Sequence, residues 1–134
     1  MSAKKSILII ENDSRLSRGL RDHLEKTFHE TRVEIAGSAA KAKHICQMFP
    51  PNFILWDGTP NEHGSQEEYE QCIPENLWSR VIPISENETH LTFAKDKGSH
   101  TPIPKQNHAI HAWIDQVTHY LNPLVNHSKG KSKS

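Results

Sequence analysis

The chain has 134 residues with 16 Lys+Arg against 16 Asp+Glu, which suits one domain with a single core and leaves no charge footprint for nucleic acid or a membrane surface. Only Cys46 and Cys72 are present, in neither a Cys-x-x-Cys nor a zinc spacing, so a disulfide scaffold is excluded and reduced thiols in a cytoplasmic setting are expected. The first apolar run is four residues long, Ile7 to Ile10, too short for a signal peptide or a membrane span, and the expected location is the cytoplasm.

In chain order, residues 6–10 (Ser-Ile-Leu-Ile-Ile) form a continuous β-branched run, the pattern of a strand buried on both faces. The run ends on Glu11, Asn12 and Asp13. Leu16, Leu20, Leu24 and Phe28 then recur every four residues, which predicts an amphipathic helix with Asp13 or Ser14 as N-cap. Residues 32–36 alternate through Val33 and Ile35 as a second strand. Residues 39–49 read as a helix with Ala42, Ile45, Cys46 and Phe49 inward, ended by Pro50-Pro51. Residues 53–56 (Phe-Ile-Leu-Trp) are a third strand buried on both faces, and it stops on Asp57 followed by the turn residues Gly58-Thr59-Pro60.

Beyond this, residues 64–77 are polar, with Tyr69, Cys72, Ile73 and Leu77 as apolar points and Pro74 as an interruption, so a short or irregular helix is expected. Residues 81–84 are a fourth strand ending on Ser85. Residues 88–97 are a weakly amphipathic helix through Leu91 and Phe93 or Ala94, closed by Gly98. Residues 101–104 predict a fifth strand which, with two prolines, must lie at an edge and ends on Lys105. Ile110, Trp113, Ile114, Val117 and Leu121 make a helical stripe from Asn107 onward that Pro123 is expected to stop. Residues 1–122 are thus the folded unit, and 123–134, ending in a run of Lys, Ser and Gly, read as a disordered basic tail. The expected histidine environment is the surface; His108 and His111 share a helix spacing, but no carboxylate or cysteine completes a metal set with them.

Strand and helix alternate five times, which predicts a doubly wound α/β fold with a five-stranded parallel sheet and helices on both faces; in the flavodoxin-like topology such a sheet has the order 2-1-3-4-5. In that order the carboxyl ends of strands one, three, four and five converge on one crevice, where open α/β sheets bind their ligands. They bring Glu11, Asn12 and Asp13, then Asp57, Ser85 and Lys105. Such a group suits phosphoryl chemistry. A carboxylate attacking phosphorus needs its repulsion with the phosphoryl oxygens offset, which a hard divalent cation and a lysine both do. Glu11, Asn12, Asp13, Asp57 and the carbonyl of Thr59 offer oxygen ligands of the kind Mg²⁺ takes; Lys105 suits a fixed positive charge and Ser85 a hydroxyl donor.

These residues resemble the receiver domain of two-component response regulators over nearly the whole chain to about Leu121. Ser-Ile-Leu-Ile-Ile-Glu-Asn-Asp resembles its first strand and acidic pair. Residues 39–57 resemble its second helix running into the phosphoacceptor strand, Val-Ile-Pro-Ile-Ser its fourth strand and hydroxyl, and Lys-Gly-Ser-His-Thr-Pro-Ile-Pro-Lys its glycine-to-lysine segment. The resemblance implies a signalling module, not an enzyme, with Asp57 as phosphoacceptor, Ser85 as switch hydroxyl, Lys105 as phosphate-contacting lysine and Mg²⁺ as cofactor. It also implies a histidine kinase or phosphotransfer protein as donor and a downstream protein partner on the 88–121 face, with a homodimer through that face as an option. The sequence departs from the family's pattern in placing the neutral Asn12 at the second acid, which lowers the expected Mg²⁺ affinity. It departs again in the shortened Gly58-Thr59-Pro60 turn, in Pro102 at the position of the switch aromatic, and in Gln106 after the lysine. Those departures keep open an alternative, a pseudo-receiver that binds partners without phosphorylation. A flavin carrier of the same topology is disfavoured, because Glu11-Asn12-Asp13 is acidic where a phosphate-binding loop is needed. No output domain follows Leu121, so a stand-alone receiver and a fragment of a larger regulator are both open.

Overall fold

The computed structural model describes residues 5–11, 13–85, 87–103 and 110–131, with the side chains of 127–131 excepted. Four strands, β1 (Lys5–Ile10), β2 (Thr31–Ala36), β3 (Phe53–Trp56) and β4 (Val81–Pro83), form one parallel sheet in the order β2-β1-β3-β4. Between and after them come α1 (Ser14–Thr27), α2 (Ala39–Met48), α3 (Gln66–Gln71), a 3₁₀ helix (Glu75–Arg80), α4 (Glu88–Asp96) and α5 (Ile110–Lys131).

The continuous apolar strands do what their pattern predicts. Successive side chains of one strand point to opposite faces, so each strand feeds two cores. Ile7, Ile9, Leu55, Ile82 and Ile84 pack with α1 and α5 through Leu20, Leu24, Trp113, Val117 and Leu121. Leu8, Ile10, Ile54, Trp56 and Val81 pack on the other face with Ala42 and Cys46 of α2, Tyr69 of α3 and Ala94 of α4. Along the inner strands β1 and β3 the buried residues 7–10 and 54–56 are all apolar, and Glu11 and Asp57 appear where these strands stop, while the edge strand β2 carries Arg32 and Glu34 exposed to water.

Among the described residues four strands stand where five were expected. The chain at 100–103 does run beside β4, with His100 N donating to Val81 O (2.8 Å) and Ile103 N to Pro83 O (2.9 Å). A regular parallel ladder would advance two residues on both sides and use the N–H of residue 102. That residue is Pro102, which has none, so the bond skips to Ile103 and no regular strand forms among the described residues. Residues 104–109, and with them Lys105, lie outside the described residues.

Helix ends follow their capping chemistry. Asp13, not Ser14, caps α1: its Oδ1 accepts from Arg15 N (3.1 Å) and Leu16 N (3.2 Å). Gly98 (φ +96°) closes α4, with Gly98 N bonded to Lys95 O and Ser99 N to Ala94 O, the paired carbonyl capping that a left-handed glycine permits. The polar 64–77 stretch holds α3 with a capping box from Ser65 and Glu68, and Pro74 separates it from the 3₁₀ helix.

Three expectations are corrected. Phe49 is 73% exposed and not inward, because α2 ends at Met48 and Phe49 leaves the helical phase ahead of Pro50-Pro51. The inward positions of α4 are His90 and Ala94, with Leu91 only partly buried. Pro123 does not stop α5, which runs on to Lys131 with the proline inside it. The apolar stripe continues past Pro123 to Val125, which is buried in the core against α1 and the sheet, and His119, whose carbonyl loses its helical partner, is exposed to water. Burial beyond the proline therefore outweighs one missing hydrogen bond.

Among the described residues no helix is long and apolar enough to cross a membrane. Cys46 and Cys72 are both buried and free. Burial pushes the Cys46 thiol up to about 11 from an ordinary 9.0. Burial, with a smaller contribution from neighbouring Cys46, pushes Cys72 up to about 12. The thiolate is the reactive form, so at pH 8 an alkylating reagent should label neither cysteine within minutes in the native protein and both after denaturation, as read by intact mass. Raised folded-state values also mean that the stability tied to keeping the thiols protonated is complete below pH 9.0 and is lost as pH climbs through about 11. Rapid native labelling at pH 8 would overturn this reading of the core.

Candidate phosphoryl site at the strand ends

The sheet sets the site. Asp57 N donates to Ile10 O (3.0 Å), which carries the β1–β3 ladder one step past the Ile10–Trp56 pair and sets Glu11 and Asp57 at adjacent strand ends. Ile84 N donates to Trp56 O (2.9 Å), which does the same for β4 and brings Ser85 to the next end along. All three are nearly sealed from water: Glu11 is 4% exposed, Asp57 7% and Ser85 1%. Two carboxylates and a hydroxyl thus sit at three neighbouring strand ends, where buried charge is costly unless it meets donors or a cation.

Each is held by its own loop. Asp57 Oδ1 accepts from Thr59 N (2.9 Å) and from Thr59 Oγ1 (2.6 Å), so the short Gly58-Thr59-Pro60 turn folds back to clasp the acid that precedes it. Glu11 Oε2 accepts from Asp13 N (3.2 Å). Ser85 Oγ accepts from Asn87 N (3.1 Å) and lies 3.1 Å from His90 Nδ1. Tyr69, 2% exposed, has a phenol that exchanges hydrogen bonds with the Asn61 side chain and a carbonyl that accepts (3.1 Å) from Nε1 of Trp56, the residue before Asp57 in the chain. Burial first of all raises the Tyr69 phenol above its usual range; the Asn61 bond opposes this, and the charges of Cys72, Asp57 and Glu11 add to it. Tyr69 therefore feels both carboxylates of the site.

Of the residues singled out in the sequence, Glu11, Asp57, Thr59 and Ser85 come together here. Asp13 is used differently, as the cap of α1. Asn12 and Lys105 lie outside the described residues, as does His108, while His111 is exposed on α5. Thr59 stands at the site through its N–H and hydroxyl, where its carbonyl had been the group of interest. Sequence reasoning missed His90, expected at the surface with the other histidines but only 1% exposed, and Tyr69, taken simply as an apolar point. The one signal for His90 was its spacing: five residues after Ser85, it falls one turn into the helix that follows β4 and faces back to the strand end.

As a cation site the donor set is thin. Among the described residues no group of three or more His, Cys, Asp or Glu could hold a metal ion. The chemistry of Glu11 and Asp57 still fits Mg²⁺ in the form that ion commonly takes, two carboxylates with several retained waters and an incoming phosphate.

No family model matches the sequence, and no curated protein matches it. Solved structures do. The phosphorylated cyanobacterial phytochrome response regulator RcpA is similar at TM-score 0.73 and 17% identity, over 90% of this chain and 94% of that one. The Mn²⁺-bound form of response regulator Rcp1 is similar at TM-score 0.72 and 18% identity, over 90% and 94%. A CheY-like response regulator receiver domain protein from Methanospirillum hungatei JF-1 is similar at TM-score 0.69 and 19% identity, over 90% and 95%. The chain has the fold of response regulator receiver domains. At such low identity the agreement lies in the course of the backbone, and it extends over nine-tenths of this chain. What this receiver fold does with Glu11, Asp57 and Ser85 depends on their own chemistry.

Proposed function

We propose that the chain is a receiver module of a two-component phosphorelay that accepts a phosphoryl group on Asp57 and signals through protein contacts. The observation that carries this reading is the placement of buried Asp57 between buried Glu11 and buried Ser85 at three adjacent strand ends. In the transfer, an Asp57 carboxylate oxygen forms a bond to phosphorus while the bond from phosphorus to the donor's histidine nitrogen breaks, the electron pair leaving with the imidazole. The Ser85 hydroxyl is the donor available to a phosphoryl oxygen on Asp57, and Lys105 is proposed as the positive charge on the acylphosphate. Glu11 and Asp57 would hold the divalent cation, with Asn12 and the Thr59 carbonyl as neutral oxygens beside them; a bound cation offsets the repulsion between carboxylate and phosphoryl oxygens. That RcpA was solved phosphorylated and Rcp1 with Mn²⁺ supports the same chemistry here. Donor and readout follow: a histidine kinase or phosphotransfer protein on the site side, and a protein partner, or a second copy of this chain, on the 88–121 face, in the cytoplasm.

A specific observation favours a second reading, a pseudo-receiver that binds its partner without phosphorylation. Asp13 is committed to capping α1, and the sequence puts an amide at residue 12, so the cation would rest on fewer charges. Incubation with acetyl phosphate over a range of Mg²⁺ concentrations separates the two. Intact mass should show one added phosphoryl group that is base-labile, absent without Mg²⁺, and absent in Asp57→Asn. Weak cation binding should shift the half-maximal Mg²⁺ requirement upward without abolishing it. If no adduct forms at any Mg²⁺ concentration, the phosphoacceptor reading is wrong and the pseudo-receiver stands.

A further inference from the structure

His90, in the first turn of α4, meets residues from two strand ends, Ser85 after β4 and Trp56 at the end of β3. Its Nδ1 is 3.1 Å from Ser85 Oγ, and its ring packs edge-on to Trp56 with centroids 6.0 Å apart and planes at 64°. Ser85 and His90 are each 1% exposed, so water does not compete for this hydrogen bond. The same hydroxyl takes the N–H of Asn87, whose side chain in turn caps α4 by accepting from Thr89 N (2.8 Å) and His90 N (3.4 Å). One hydroxyl at the site is thereby tied to the first turn of α4 twice, through a backbone N–H and through a ring nitrogen.

We propose that His90 is a positioning residue that couples the hydrogen-bonding state of Ser85 to helix α4. A hydroxyl has one proton and two acceptor lone pairs, and a neutral imidazole has one donor nitrogen and one acceptor. Asn87 N–H occupies one lone pair of Ser85 Oγ. If the Ser85 proton points at Nδ1, the ring proton sits on Nε2. If the Ser85 proton is drawn toward an acceptor on Asp57, Nδ1 must carry the proton and donate to the second lone pair, or the ring must move away. Leaving Nδ1 without a partner inside the core is costly, so the two states of Ser85 correspond to two states of His90. A moved ring would be felt further on, because Trp56 also packs on Trp78 (5.2 Å) and Phe93 (6.3 Å), and Phe93 stands one turn beyond His90 on α4 with Lys97 over its outer face. The route from site to surface is therefore Ser85, His90, the aromatic group, and the exposed face of α4. The part of this that involves a phosphoryl group rests on the reading of Asp57 above; the coupling of Ser85 to α4 does not.

The test uses ¹⁵N-labelled full-length protein, reading the His90 ring nitrogens and amide exchange over residues 91–94, which lie beyond the Ser85 hydrogen bonds to Asn87 and His90. Ser85→Ala should change the His90 tautomer pattern and speed that exchange roughly fivefold, the effect of one buried hydrogen bond. His90→Phe, which keeps a ring against Trp56 but removes the nitrogens, should speed exchange by a similar factor, and the double variant should add nothing further. Unchanged ring nitrogens and exchange in Ser85→Ala, or additive effects in the double variant, would overturn the proposal. Acetyl phosphate with Mg²⁺ is the second arm, with intact mass reporting Asp57 separately. Ring signals that move in step with the modified fraction support the coupling. Modified Asp57 with unmoved ring signals overturns it while leaving the phosphoacceptor reading intact. Absence of modification sinks the phosphoacceptor reading alone, and the coupling is then decided by Ser85→Ala.

Discussion

Replacing Trp56 by alanine is expected to lower stability by about 3–5 kcal/mol, the range for emptying a large aromatic site in a core. Trp56 is fully buried, is the last residue of β3, and is packed by Trp78 at 5.2 Å and 78° and by Phe93 and His90. Its indole N–H also satisfies the carbonyl of Tyr69, which the alanine variant would leave without that donor inside the core. Against a total of roughly 5–15 kcal/mol for an ordinary domain, such a loss leaves the fold marginal. Urea unfolding followed by circular dichroism measures it. Trp56→Phe should retain most of the packing and lose chiefly the hydrogen bond, falling in between. A loss below about 1 kcal/mol in Trp56→Ala would mean that the aromatic group is not the support of the site that its burial implies.

Gly58→Ala should cost about 1–3 kcal/mol, and for an unusual reason. No left-handed backbone requires this glycine, since among the described residues only Gly98 has a positive φ. The requirement is space: a Cβ on residue 58 would lie 2.4 Å from Trp56 Cζ2 and 2.6 Å from Cη2. The indole cannot yield easily, because it is enclosed on all sides and tethered to Tyr69 O. Relief must come from the backbone, which carries Asp57 on one side and Thr59 on the other. The substitution should therefore also reduce phosphoryl acceptance by Asp57 relative to wild type. In a Trp56→Phe background the smaller ring leaves room, and the cost of Gly58→Ala should shrink, as a double-mutant cycle on urea midpoints would show. Equal costs in both backgrounds would show that the indole is not what excludes the methyl group.

These two substitutions show where reading the sequence succeeds and where it stops. The run Phe53 to Trp56 ending on Asp57 gives away a strand buried on both faces with an acid at its carboxyl end, because periodicity and burial are written locally in the chain. Asp-Gly after it looks like turn punctuation, and only the folded ring of Trp56 reveals that Gly58 answers to a contact. Pro123 is a similar case. The chemistry of proline says stop, but the helix continues because Val125 finds a place in the core, a gain that depends on where α1 and the sheet lie. Pro102 shows the reverse, a local property that prevails: among the described residues its missing N–H leaves this segment bonded to β4 through His100 and Ile103 without forming a regular fifth strand.

Local pattern was enough for the alternation of strand and helix and for which strand ends carry Glu11, Asp57 and Ser85, since hydrophobic period and turn residues are written along the chain; the order β2-β1-β3-β4 came from the family resemblance and is seen in the sheet. Tertiary structure decided how those groups are used: Thr59 clasping Asp57, Asp13 diverted to a helix cap, and His90 drawn inside to meet Ser85. Such partnerships depend on which side chains the packing of helices against the sheet brings within about 3 Å, and hydrogen bonds of that reach leave no periodic trace in the chain.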